Sequence, residues 1–280
     1  MKAILFVIAW LGTIGTVYGQ ELYPYSEPAS NMPAKAVGVK MTSMFMRGVH
    51  SNKILQRHMP EVMFGVNKNL MLHAGLGFSD MHEERFMFEA VRLYGKYRVL
   101  SVDDVHKHFR VALFSGLAYS RNHLDHNEIN LMGDQSGIQA GIIATQLWNR
   151  LAVSGTGSWN EVLHRERKNK LSGSDYAFTA FNYSLSAGFL LLPVEYRDYD
   201  QTNVNLYLEL LGSRNVGRST DRYYVDLAPA VQFIFNSTGK LNLGYRFNVS
   251  GDIYRLTNRS FMIGYEHLFL NALRKKKGRR

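Results

Sequence analysis

Residues 222–270 read RYYVDLAPAVQFIFNSTGKLNLGYRFNVSGDIYRLTNRSFMIGYEHLFL and contain three runs in which apolar and polar side chains alternate. In the first run the odd positions from Tyr223 to Phe235 are apolar or aromatic, and the even positions include Asp226 and Gln232. Successive side chains of a strand point to opposite faces, so this period predicts strands with one apolar and one polar face. The length of the runs and the aromatic residues near their ends favour a transmembrane barrel over a soluble sandwich.

The same period extends through the chain and predicts an all-β protein, an antiparallel transmembrane β-barrel of about 12 strands. Connections after even-numbered strands are short or medium, whereas those after odd-numbered strands are mostly longer. Short turns at one end and long loops at the other are typical of outer-membrane barrels. The predicted strands are residues 35–45, 59–67, 69–79, 85–99, 107–120, 135–148, 150–161, 175–191, 202–213, 222–235, 240–249 and 259–270.

The N-terminus predicts export from the cytoplasm. Met1 and Lys2 precede an apolar run of about 15 residues, which is shorter than the roughly 20 that a spanning helix needs and is typical of a signal peptide. The predicted divisions are a signal peptide (1–20), an extended periplasmic segment with three prolines (21–34), the barrel (35–271) and a basic tail (272–280). An even number of strands then leaves both termini in the periplasm of a bacterial outer membrane.

Composition excludes several classes of protein. The chain has no cysteine, which excludes disulfides, thiolate metal sites and a lipid-anchored N-terminus. The net charge is +10, but six of the basic residues lie within 274–280, so the rest of the chain is nearly balanced and does not predict a nucleic-acid partner. The basic tail is expected either to be solvated or to contact anionic headgroups or cell-wall polymers.

The polar faces of the predicted strands define a lumen that contains charges of both signs. Paired charges would close a narrow barrel, whereas an unpaired basic ladder through Arg92, Lys96, Arg98 and Arg110 would provide a path for anions. Both alternatives remain open from the sequence. The predicted pore-lining charges are Lys40, Glu61, Arg92, Lys96, Arg98, Arg110, Glu209, Asp226, Arg246 and Glu266.

Methionine and histidine are concentrated before residue 135. Thioether and imidazole ligands suit copper, and imidazole with carboxylate suits zinc or copper. One hypothesis is therefore that the outer loops bind Cu or Zn. The alternative is that the methionines fill the lipid face and the histidines lie on loops. The candidate ligands are His82, His123, Asp125, His126 and Glu128.

No spacing of Ser, His and Asp predicts an enzyme, and residues 154–158 alternate as a strand instead of forming a nucleophile elbow. The chain resembles outer-membrane barrel proteins of Bacteroidetes-type bacteria. The resemblance lies in residues 21–35 (ELYPYSEPASNMPAK), 82–85 (HEER), 94–97 (YGKY) and 130–137. It implies an outer-membrane location and a setting beside metal-efflux systems, and it implies no catalytic residue.

Two functions follow from these patterns. The first is a narrow pore or transporter for small polar or ionic solutes. The second is a closed barrel whose Met- and His-rich outer loops bind a metal ion or a partner, linked to heavy-metal efflux or resistance. In both, the expected contacts are outer-membrane lipid and a small solute or metal ion.

Overall fold

The computed structural model describes residues 23–49, 53–82, 85–105, 107–123, 126–163, 177–194, 201–217 and 222–274. Each strand pairs antiparallel with its neighbours in sequence, and the first strand pairs with the last, so the described residues form a closed barrel. The predicted 12-stranded antiparallel barrel is confirmed. The strands are β1 (Val37–Gly48), β2 (Ile54–Gly65), β3 (Leu70–Ser79), β4 (Met87–Asp103), β5 (Lys107–Ser120), β6 (Gly137–Trp148), β7 (Leu151–Val162), β8 (Thr179–Leu192), β9 (Asn203–Asn215), β10 (Tyr223–Phe235), β11 (Gly239–Gly251) and β12 (Thr257–Phe269).

Strand β2 begins at Ile54, five residues before the predicted start at residue 59. Pro60 disfavours a strand in the sequence because proline cannot donate to a ladder. In the barrel Pro60 still aligns with Met41 of β1, while the β2–β3 register passes from His58 directly to Glu61. The strand therefore continues through the proline by keeping its pairing on one side.

The outer wall is apolar along the middle of the strands. Leu93 is 51% exposed, and Leu117 and Leu185 are each 57% exposed, whereas Asp226 and Gln232 are each 1% exposed inside the barrel. A continuous apolar surface around a barrel is unfavourable in water and matches a bilayer core. No helix among the described residues is long and apolar enough to cross a membrane.

The two ends of the barrel differ. The end where β1 begins and β12 ends, here the turn end, carries tight connections such as residues 149–150 and 236–238. Asn236 and Ser237 have positive φ angles of 48° and 56°, as a tight hairpin between twisted strands requires. The opposite end, here the loop end, carries the long connections 121–136 and 163–178.

Two segments that belong to no strand fill the interior. Residues 23–36, here the N-terminal segment, run inside from the turn end, with Ala29 at 0% and Met32 at 4% exposure. Residues 126–136, here the inserted loop, fold inward from the loop end, with Ile129 at 2% exposure. The predicted signal peptide lies outside the described residues, as does the tail from residue 275, and both stay predictions.

Methionines occupy the interior as well as the outer wall. Met63, Met71 and Met262 are 5%, 4% and 1% exposed, so the idea that methionines fill the lipid face is wrong for these three. Met63 and Met71 face inward because they share the parity of Glu61 and His73 on their strands. Their flexible thioethers pack against Met32 and fasten the N-terminal segment at the turn end.

Candidate functional site: the interior chamber

A chamber of about 300 Å³ lies inside the barrel between the two inserted segments. Tyr25, Ser26 and Glu27 of the N-terminal segment line it from the turn end, and residues 128–132 of the inserted loop line it from the loop end. The side walls come from the inward faces of the strands. This volume is at the small end of the range for ligand pockets.

The N-terminal segment is fastened mainly by Lys96, which is 0% exposed. The Lys96 ammonium donates to the carbonyl oxygens of Pro28 at 2.7 Å and Ser30 at 2.8 Å, and it pairs with the Glu27 carboxylate at 3.2 Å. Three donors of one lysine are thereby satisfied by three acceptors of one short segment. Lys96 was predicted to line a pore, and it faces inward, but it binds the segment that fills the lumen.

Further contacts fix the segment across the barrel. The Tyr25 amide donates to Glu209 Oε1 at 2.8 Å, and the Ala29 amide donates to Thr145 Oγ1 at 2.9 Å. Glu209 was also predicted to line a pore, and it too contacts the segment. Side chains of β4, β6 and β9 therefore hold one extended peptide, which the sequence pattern of the strands could not indicate.

The neighbours of the partly buried Glu27 carboxylate favour its ionised form. Burial alone would raise its pKa, but the charges of Lys96, His73 and Lys40 outweigh this effect and lower the pKa. Glu27 therefore carries a negative charge at neutral pH, which strengthens its pairing with Lys96.

A row of charges of alternating sign runs around the inner wall across six neighbouring strands, from β11 to β4. Five of the strands contribute a charged residue, and β3 contributes Gly75. Each member aligns with the next across a strand pair, and the Lys240 and Glu266 side chains are 2.8 Å apart. Opposite charges on directly facing positions stabilise a sheet and neutralise its interior. This charged row consists, in order, of Lys240, Glu266, Lys40, Glu61, Gly75 and Arg92.

The charged row ends in a cation with no acidic neighbour on the next strand. Glu61 is engaged by His73 Nδ1 at 3.0 Å, Gly75 contributes no side chain, and Arg92 aligns with Ala118 of β5. Within the described part of the chain Arg92 forms no ion pair, and its guanidinium lies 5.4 Å from the ring centroid of Tyr94. Arg92 therefore presents its charge to the chamber.

The predicted basic ladder is not a continuous line of free cations. Of its four members only Arg92 lines the chamber. Arg110 binds Asp103 at 3.0 Å and Ser30 Oγ at 2.8 Å near the turn end, close to Arg98. Glu27 of the N-terminal segment thus neutralises Lys96, and Asp103 neutralises Arg110.

The inserted loop is pinned by Arg57 at the loop end. Arg57 binds Glu89 through two hydrogen bonds of 2.9 and 2.6 Å and also contacts Asp134, and His82 Nε2 lies 3.0 Å from Asp134. Burial alone would raise the pKa of Asp134, but the Arg57 guanidinium and the imidazoles of His126 and His82 hold it well below its usual range. The loop is therefore held by a buried, ionised cluster.

A second cluster pins the other side of the inserted loop. Arg255 donates to Glu128 Oε2 at 3.0 Å and to Asp226 Oδ1 at 2.8 Å, and Arg246 donates to Asp226 at 2.6 Å. The Arg255 guanidinium also lies 4.0 Å from the Tyr224 ring centroid. Asp226 and Arg246 were predicted to face inward and are paired there. Arg255 was missed because a single arginine in a polar loop carries no pattern.

The predicted metal ligands separate into two places. His82 and His126 stack with ring centroids 5.7 Å apart beside Asp134, whereas Glu128 binds Arg255, and Asp125 lies outside the described residues. The described residues contain one group with metal-ligand spacing, His82, Glu89 and Asp134, and it does not include His123. Arg57 already neutralises both carboxylates of that group, so the predicted Cu or Zn set does not assemble as one site.

No known protein family matches the chain, and no curated protein matches it. Solved structures match it by fold. An outer-membrane channel from Pseudomonas putida F1 has a TM-score of 0.57 and 12% identity, covering 89% of this chain and 100% of that chain. KdgM porin has a TM-score of 0.52 and 7% identity, covering 83% and 99%. NanC porin has a TM-score of 0.50 and 12% identity, covering 82% and 98%.

Identities this low bear on the fold alone. The chain therefore has the fold of outer-membrane β-barrel porins and channels. The resemblance to Bacteroidetes-type proteins is not tested by these structures and stays a prediction.

Proposed function

We propose that this protein is a bacterial outer-membrane pore for small polar or ionic solutes, and that it rests in a closed state. The observation that carries the proposal is a chamber with charged and polar side chains in its lining, inside a wall whose outer face is apolar. A barrel of 12 strands is intermediate between barrels filled by side chains and barrels with an open channel. In the closed state the chamber of about 300 Å³ has room for roughly the volume of ten water molecules.

The closed state depends on segments that are not part of the wall. All 12 strand pairs close the barrel without residues 23–36, which are held by Lys96, Glu209 and Thr145. The N-terminal segment can therefore leave the lumen without breaking a strand ladder. Release of the N-terminal segment would explain how a barrel whose lumen charges are paired in the closed state can still act as a pore.

The same geometry supports an orientation. Outer-membrane barrels have their short turns on the periplasmic side. Both the start of β1 and the end of β12 lie at the turn end, which supports a periplasmic location for both termini. The N-terminal segment would then close the lumen from the periplasmic side, and the inserted loop would face the exterior.

Single-channel conductance in planar bilayers tests the proposal. The refolded wild-type chain is compared with a variant lacking residues 23–30 and with a control lacking residues 275–280. We expect rare openings in the wild type and the control, and frequent, larger steps in the first variant. A folded and inserted variant that stays silent would contradict the pore. Frequent large steps in the wild type would contradict closure by the N-terminal segment and leave the pore standing.

A further inference from the structure

The geometry points to a binding site for a small organic carboxylate in the chamber, with Arg92 as its cation. This inference rests on the proposed function and names the class of solute. It is carried by unpartnered polar atoms, by the charges that face the chamber and by the contrast between its two walls.

The first observation is a set of buried polar atoms on one wall. Tyr94 and His73 are each 6% exposed, and the Tyr94 hydroxyl and His73 Nε2 have no hydrogen-bond partner within the described ranges. The Tyr25 hydroxyl is in the same condition, and all three residues line the chamber. Buried polar atoms are rarely left without a partner, so such a group marks a place where a ligand can bind.

The side chains of His73 and Tyr94 lie beside one cation, Arg92. The His73 and Tyr94 rings lie 5.1 Å apart, and the Arg92 guanidinium is 5.4 Å from the Tyr94 ring centroid. Aromatic rings fix the plane of a guanidinium while leaving its N–H groups available to an acceptor. Arg92 therefore offers a preorganised fork of donors beside a phenol and an imidazole.

Charge decides the class of ligand. The nearby anions are already engaged, Glu61 by His73 at 3.0 Å and Glu27 by Lys96 at 3.2 Å. Lys40 also lines the chamber, but it lies between Glu266 and Glu61 in the charged row. Among the residues that the structure describes, a cationic solute would find no free carboxylate here, whereas an anion finds the unpaired guanidinium of Arg92. Arginine forks suit the planar geometry of a carboxylate.

The opposite wall is neutral and polar. Thr156 and Asn160 of β7 line the chamber, and Thr156 Oγ1 and Asn160 Oδ1 are buried and unpartnered in the described part of the protein. These atoms can form hydrogen bonds with a hydroxyl or amide group of a polar solute. Lactate is a small carboxylate with a hydroxyl on the adjacent carbon, and lactamide is its neutral counterpart of the same shape.

Equilibrium dialysis of the refolded protein with radiolabelled lactate tests the site, after long incubation to allow entry into the chamber. We expect saturable lactate binding that unlabelled lactate displaces and lactamide does not. Arg92→Gln should weaken binding about tenfold because it removes a charge-assisted contact. Arg259→Gln, which alters an exposed arginine of β12, is the matched control and should bind as the wild type does.

Absence of saturable binding, or equal displacement by lactamide, would overturn the inference, as would wild-type affinity in folded Arg92→Gln. If Arg92→Gln does not fold, the comparison of lactate with lactamide in the wild-type protein tests the site. Conductance separates the two claims. A protein that forms channels but does not bind lactate would contradict the carboxylate site and support the pore. A protein that binds lactate but forms no channels would support the site and contradict the pore.

Discussion

Replacing Lys96 with methionine should release the N-terminal segment from the lumen. Methionine has a similar volume and keeps the packing of the wall, but it cannot donate to Glu27, Pro28 or Ser30. The substitution leaves two buried carbonyl groups and the partly exposed Glu27 carboxylate without their cation, so its cost should lie at the lower end of the range for a buried ion pair. The effect should therefore fall on the segment and not on the strand ladders.

The magnitude follows from these contacts. Breaking a buried ion pair by removing one partner costs about 3–5 kcal/mol. Because each 1.4 kcal/mol is about a factor of ten, the equilibrium between bound and released segment should shift roughly 10²- to 10³-fold toward release. The hydrogen bonds to Glu209 and Thr145 remain, and each contributes only about 1 kcal/mol.

Single-channel recording measures this shift as the ratio of open to closed time. This ratio should rise by about two orders of magnitude, provided that the wild-type channel is closed for most of the time. Lys240→Met is the matched control, because Lys240 is also buried, at 2% exposure, but pairs with Glu266 of the wall at 2.8 Å. It should lower stability without opening the lumen. Folded Lys96→Met with wild-type open time, or an equal effect of Lys240→Met, would refute the reasoning.

Three further predictions concern the loop end. Gly133 has a φ of 144° and its Cβ would lie 2.9 Å from the Arg57 guanidinium carbon, so Gly133→Ala should destabilise the inserted loop by about 1–3 kcal/mol, whereas Gly155→Ala, with nothing within 4 Å, should have little effect on the thermal midpoint. Because the pKa of Asp134 is depressed, its contribution to stability is complete above the unfolded value of about 3.9 and is lost as the pH falls through the folded value. Protease cleavage within residues 121–136 should thus be constant from about pH 8 to about pH 5 and rise only under stronger acid; an increase near pH 6 would implicate the imidazoles instead. Titration calorimetry with Zn²⁺ or Cu²⁺ should show no heat of binding above the buffer control for the wild type. Arg57→Ala should bind the metal, because it frees the carboxylates beside His82. Metal binding by the wild type would restore the metal hypothesis.

Alternation along each strand predicted most of the wall correctly because it is a local property. Asp226 and Gln232 lie inside and Tyr223 and Phe235 outside, as the period of two requires. The start of β2 was predicted too late because Gln56, Arg57 and His58 are three consecutive polar residues and interrupt the alternation at the beginning of the strand. The predicted inward positions of Lys40, Arg92 and Lys96 carried no information on which of them would be neutralised.

The sequence by itself determined the barrel, its approximate strand bounds and the side of the wall on which each strand residue lies, since these depend on neighbours one or two positions apart. Only the tertiary structure decided what fills the lumen. Glu27 meets Lys96 and Glu128 meets Arg255 across separations of 69 and 127 residues, and no local period encodes such pairings. Closure of the barrel brings these charges within reach, and the requirement that a buried charge be paired selects the partner.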